Sequence, residues 1–180
     1  MQRIILTYGV IAGFVVAIPL FLMGTLMVDN PPSGWVRMAI GYLIMLIAFT
    51  AIFVAVKRHR DENCGGVIRF LPALGMGLAI ALIGSLFYVI AWEAVLATNG
   101  GDFIAQMSAR MLEEQRAAGA TPGELAALQA QMAQMHGLYA NPLFRVLITL
   151  TEVLPIGLLV ALVAALLLRN PRFMPARTAE

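Results

Sequence analysis

Charge is the first scarcity in this sequence. Acidic and basic side chains make up only 12% of its 180 residues, about half the share found in ordinary soluble domains. Histidine occurs twice and cysteine once. The lone Cys64 cannot close a disulfide within the chain, and it reads as a reduced thiol bound to nothing. No His-Glu-x-x-His, Gly-x-Ser-x-Gly, phosphate-cradling glycine loop or His/Cys cluster is present, so the sequence offers no basis for hydrolytic, nucleotide or metal chemistry. No cofactor is expected. The net charge of +2 comes from basic residues that flank apolar runs, which speaks to topology and not to nucleic acid.

Apolar residues fill the space that charge leaves, at 61% of the chain, and mean hydropathy reaches +0.85. Lipid is the natural solvent for such a composition. Four runs are long enough to cross a hydrocarbon core of about 30 Å, at about 1.5 Å per helical residue. They cover about 4–27, 36–56, 71–96 and 143–168. The first run is longer than a signal-peptide core, and no small-x-small pattern precedes Asp29-Asn30-Pro31-Pro32, so it is read as a helix that stays. That proline pair with Ser33-Gly34 predicts a tight turn, and Trp35 stands where an interfacial aromatic belongs. The charged stretch Lys57 to Asn63 should stop the second helix before Gly65-Gly66 breaks the chain. Asn141 and Pro142 provide a cap and a first position for the last helix.

Sidedness follows from the basic residues. Arg3, Lys57, Arg58, Arg60, Arg69, Arg169, Arg172 and Arg177 fall on one side, against Arg37, Arg110, Arg116 and Arg145 on the other. The richer side is retained in the cytoplasm, so both termini are expected inside a bacterial inner membrane. The fold class expected is all-α and integral to the membrane: four transmembrane helices in a single membrane domain, with an extracytoplasmic helical hairpin between the third and fourth.

That insert, about 99–139, is the one long polar stretch. Gly100-Gly101-Asp102 opens a first helix that should end at Gly119, and Thr121-Pro122-Gly123-Glu124 matches a capping box that starts a second. Leu125, Leu128, Met132, Met135 and Tyr139 then recur at spacings of three and four, a narrow apolar stripe that needs a partner. The preceding helix is the expected one, with the membrane surface or a partner protein as alternatives. Met107, Met111, Met132, Met135 and His136 have the chemistry to hold Cu(I), but methionines at helical spacing are ordinarily packing residues, and no metal is expected.

Small residues repeat every four positions in three spans: Gly9, Gly13 and Ala17; Ala73, Gly77, Ala81 and Ser85; Gly157, Ala161 and Ala165. In lipid such stripes let helices approach closely, which predicts a tight bundle and allows a homo-oligomer. Two carboxylates lie inside apolar runs, Glu93 and Glu152, with Arg37 and Arg145 as the available counter-charges. Arg145 and Glu152 are seven residues apart and share a helix face. These four residues are the candidate intramembrane polar site, either tying helices together or titrating in a proton- or cation-coupled path.

Several segments also resemble a known family. Tyr8-Gly9-Val10-Ile11-Ala12-Gly13, the block from Gly41-Tyr42-Leu43 through Lys57-Arg58-His59-Arg60-Asp61, the Leu86-Phe87-Tyr88 to Trp92 stretch, and Asn141-Pro142-Leu143-Phe144 through Thr151-Glu152 to Gly157 are similar to the bacterial domain-of-unknown-function membrane family numbered four-one-nine-nine. The resemblance implies four spans with a helical excursion before the last, and it transfers no activity, substrate or catalytic residue. The family pattern prefers Tyr where this chain has His59, so that imidazole is read as part of a solvated basic loop facing anionic lipid heads. The function expected is that of a non-catalytic assembly or accessory subunit acting through the stripe at 125–139. A small transporter or channel-like protein using Glu93 and Glu152 is the alternative, and a membrane enzyme a distant third.

Overall fold

The computed structural model describes residues 1–26, 34–99 and 103–175. Within them lie six helices: α1 Gln2–Leu26, α2 Gly34–Asn63, α3 Phe70–Thr98, α4 Phe103–Ala117, α5 Pro122–Tyr139 and α6 Pro142–Leu168. Four of these, α1, α2, α3 and α6, are long and apolar enough to cross a membrane. The turn expected at Asp29–Ser33, the helix start at Gly100–Asp102 and the basic residue Arg177 fall outside the described residues.

The helix ends follow local chemistry. Thr121 Oγ1 accepts the Glu124 amide at 3.3 Å while the Glu124 carboxylate accepts the Thr121 amide at 2.7 Å, completing the capping box of α5. Asn141 Oδ1 accepts the Leu143 amide at 3.0 Å and caps α6. Gly119 ends the α4 segment with φ of +89°, a conformation that favours glycine.

One expected boundary is corrected. The charged stretch from Lys57 does not stop α2, which runs on to Asn63. Lys57 pairs with Asp61 at 2.5 Å and Arg58 with Glu62 at 2.9 Å, both four residues apart, so the charges support about two more helical turns. The chain turns at Gly65 and Gly66, both with positive φ.

α3 is the centre of the bundle and carries the most buried residues. On one flank it runs parallel to α1, where a Cβ added to Gly13 would stand 2.4 Å from the ring of Phe87. On the other flank it runs antiparallel to α6. There Gly77 meets Ala161, and Gly157 meets Ala81, at spacings that an added Cβ would shorten to 2.8 and 2.7 Å. The stripes of Gly9 and Gly13, of Gly77 and Ala81, and of Gly157 and Ala161 are thus consumed inside the bundle, with Ser85 fully buried beside them. Ala17 is half-buried.

α2 closes the bundle over only part of its length. Its buried residues run from Met45 to Arg60, with none between Gly34 and Ile44. Phe49, fully buried, packs against both Gly84 of α3 and Gly157 of α6. The half of the bundle nearer the two chain termini is therefore densely packed, and the half nearer α4 and α5 is open.

Arg60 seals the packed end. Its side chain is wholly buried and donates to the carbonyls of Phe173 at 2.9 Å and of Met174, and to Asp61 Oδ1 at 2.7 Å. Phe173 stacks edge-on against Phe53. Reading this stretch as a solvated basic loop is thereby corrected: Arg60 faces inward, and the Nδ1 atom of His59 is buried without a hydrogen-bond partner among the described residues.

Candidate functional site

The two intramembrane carboxylates have different surroundings. Arg145, in the first turns of α6, grips Glu93 of α3 with both arms of its guanidinium, Nε to Oε1 at 2.6 Å and Nη2 to Oε2 at 2.5 Å. The cation expected to stand above Glu152 is spent on another helix. The reason lies in the register of α3 against α6. The residue numbers of Gly77 and Ala161, of Ala81 and Gly157, and of Glu93 and Arg145 add to the same total, so the ion pair lies on the antiparallel small-residue ladder. Stripes at intervals of four in α3 and α6 carried that signal, and aligning them antiparallel would have found the pair.

Aromatic groups extend the clamp to α5. Trp92 Nε1 donates to the Tyr139 hydroxyl at 2.5 Å, and Arg145 Nη1 donates to the Tyr139 carbonyl at 3.4 Å. Burial pushes the Tyr139 phenol above its ordinary pKa, so it remains a neutral acceptor for the indole. Thr149 Oγ1 donates to the Arg145 carbonyl at 2.8 Å, tightening the same turn of α6.

Glu152 belongs to a cavity of about 510 Å³ that all six helices line. It lies beside the stretch of α2 from Gly34 to Ile44, which buries none of its residues. Val16, Tyr88 and Thr149 form a buried back wall at 1%, 7% and 5% exposure. Ile44 lies toward its packed end, where Met45, Phe49 and Ile52 are buried. The Tyr88 hydroxyl faces the Glu152 carboxylate. Arg37 of α2 and Arg110 of α4 also line the cavity, and among the described residues neither Arg37, Arg110 nor Glu152 has an ion-pair partner. Arg110 and Met107 bring α4 over this space, a role the sequence did not disclose.

The predicted docking stripe is partly covered. No residue of α5 is buried; Leu125, Leu128, Met132 and Tyr139 are half-buried and Met135 is exposed. Leu125 and Leu128 share a shallow depression with Gln115 and Ala118 beside the turn that joins α4 and α5. The preceding helix α4 does contact α5, as expected, but it leaves no residue of α5 buried. Of the methionines considered for Cu(I), Met107 lines the cavity while Met111 and Met135 are exposed.

The chain belongs to the DUF4199 family, described as protein of unknown function, whose model matches residues 7–170 and so covers α4, α5 and most of the four long helices. No curated protein and no solved structure matches it.

Proposed function

We propose that this is a non-catalytic membrane protein that holds a ligand in the cavity beneath α4, and that serves as an accessory component of a larger membrane assembly. One observation carries the reading. Three charged side chains with no ion-pair partner among the described residues, Arg37 of α2, Arg110 of α4 and Glu152 of α6, converge on a cavity of about 510 Å³. That volume lies within the range of about 300–1,000 Å³ typical of ligand sites, and intramembrane charges that face a cavity mark functional positions. The asymmetry of lysine and arginine supports an orientation in an inner membrane with both termini cytoplasmic, α4 and α5 outside, and the cavity in the outer half of the bundle.

Transport through a coupled Glu93–Glu152 pair is less well supported. Arg145 occupies Glu93, and the packed layer of Phe49, Ile52 and Gly77 lies between the cavity and the opposite end. The incompletely buried stripe of α5 favours the second part of the proposal, a membrane-protein partner or second copy seated on Leu125, Leu128, Met132 and Met135.

Gly41 offers a clean test, because it lines the cavity and an added Cβ there meets nothing within 4 Å. Gly41→Trp should fill the space without disturbing the bundle. Protein extracted in mild detergent and weighed by native mass spectrometry should carry a bound molecule that Gly41→Trp lacks, at equal folded yield. Identical adducts in both would refute the ligand-holding role.

A further inference from the structure

The walls of the cavity differ in a way that identifies what enters it. Val16, Tyr88 and Thr149 at the back are buried, whereas Met38 and Tyr42 on α2 are 60% and 43% exposed and Ile148 on α6 is 37% exposed. Glu152, also on α6, is exposed as well. α2 and α6 touch closely where Phe49 meets Gly157, whereas a Cβ added to Gly41, about two turns earlier on α2, meets nothing within 4 Å. The cavity therefore opens sideways, between two helices long enough to span a bilayer, and not only toward the end beneath α4. A carboxylate at this opening with no ion-pair partner among the described residues is an arrangement that lipid penalises unless the occupant brings the counter-charge. Arg37, on α2, and Arg110, on α4, offer positive charge to the same occupant from elements other than the one that carries Glu152.

We propose that the ligand is a zwitterionic phospholipid, its phosphate held by Arg37 and Arg110, its ammonium by Glu152 beside the Tyr88 hydroxyl, and its acyl chains leaving between α2 and α6. This rests on the ligand-holding reading above. A cavity of about 510 Å³ has room for a headgroup and glycerol but not for the chains, which the lateral opening accommodates. Arginine suits the phosphate because its planar fork donates two hydrogen bonds at once. Glu152 selects against a headgroup that carries only negative charge.

Trp92 lines the cavity and reports on its contents. With exposed Trp35 replaced by Phe, Trp92 is the remaining tryptophan. The protein would be reconstituted in phosphatidylglycerol vesicles in which a fixed minor fraction of lipid carries brominated acyl chains and an ethanolamine, choline or glycerol headgroup. Bromine quenches indole fluorescence on contact. The expected result is a relative association of the zwitterionic lipids about tenfold above phosphatidylglycerol, equivalent to about 1.4 kcal/mol, that disappears in Glu152→Gln. Ethanolamine ahead of choline supports a hydrogen-bonded ammonium at Glu152, and choline ahead of ethanolamine supports the same site with the cation against its aromatic faces. Equal quenching by all three lipids, a preference for phosphatidylglycerol, or a preference that survives Glu152→Gln overturns the proposal. The wild-type ordering needs no change at the site, so a poorly folded variant cannot mask the answer. If Gly41→Trp loses its adduct while the three lipids quench alike, the lipid assignment falls and the cavity's ligand-holding role stands.

Discussion

α2 passes through two environments, and the difference between them organises the molecule. From Met45 to Arg60 it is wedged among its neighbours and buries seven residues, while from Gly34 to Ile44 it buries none. Apart from Arg37 and the basic residues from Lys57 onward, both stretches are apolar and helical, so composition does not separate them. Neighbours do. Glycines at 77, 84 and 157 let α2 and α6 close on α3 around Phe49, whereas nothing comparable faces the stretch around Gly41, where the wall recedes into the cavity. Close packing supplies stability in one half, and its absence supplies room in the other.

The sharpest way to break the packed half is at Arg60. Arg60→Ala leaves two backbone carbonyls without their donor and Asp61 with Lys57 alone, and should cost about 3–5 kcal/mol in reversible unfolding in detergent. Arg60→Lys should restore little, because a single ammonium cannot reproduce the fork.

Paired glycine substitutions compare the two halves directly. Gly157→Ala forces a Cβ against that of Ala81 and should destabilise by about 1–3 kcal/mol. Gly41→Ala, in open space on a helix, should instead stabilise by about 0.5–1 kcal/mol. Equal effects in thermal melts would erase the distinction between packed and open.

The two carboxylates make the next comparison. Glu93→Gln should cost about 1–2 kcal/mol, discounted from a fully buried pair because Arg145 and Glu93 retain 20% and 34% exposure, and a double-mutant cycle with Arg145→Gln should recover most of it as coupling. Glu152→Gln should leave stability within about 0.5 kcal/mol of wild type, since it breaks no ion pair.

The smallest effect lies at the start of α5. Hydrogen bonds from the backbone and hydroxyl of Thr121 hold the Glu124 carboxylate below its ordinary pKa. A lowered folded-state pKa means that the contribution is complete above the unfolded-state pKa and is lost as pH falls through the folded-state value. Amide-exchange protection at the first turn of α5 should therefore decline only in acid below the usual carboxylate range, and Glu124→Gln should remove that dependence.

Much of the fold was legible because its causes are local. Span length follows from apolar runs, the capping box from Thr121 and Glu124, and the α6 cap from Asn141 and Pro142. The extension of α2 was legible in principle too, through charge pairs four residues apart at Lys57–Asp61 and Arg58–Glu62. Arg60 was not, because its burial depends on chain that returns more than a hundred residues later. Charged residues at 37, 93, 145 and 152 stood out in the sequence, but their partners did not. Pairing depends on which helix faces which and in what register, and the cavity depends on where α2 ceases to be buried among its neighbours, which no local pattern encodes.

The ladder between α3 and α6 has one more consequence. A contact surface of small residues repeated every four positions is nearly indifferent to a slip of one repeat: Gly77 would meet Gly157, or Ala81 would meet Ala161, with similar closeness. The hydrocarbon would not object to either alternative. Glu93 and Arg145 are the index mark on this otherwise uniform scale, because one step of slippage sets Arg145 opposite Val89 or Ala97 and leaves both charges stranded. Their contribution is therefore less to hold the helices together than to choose which of several nearly equivalent alignments becomes the native one.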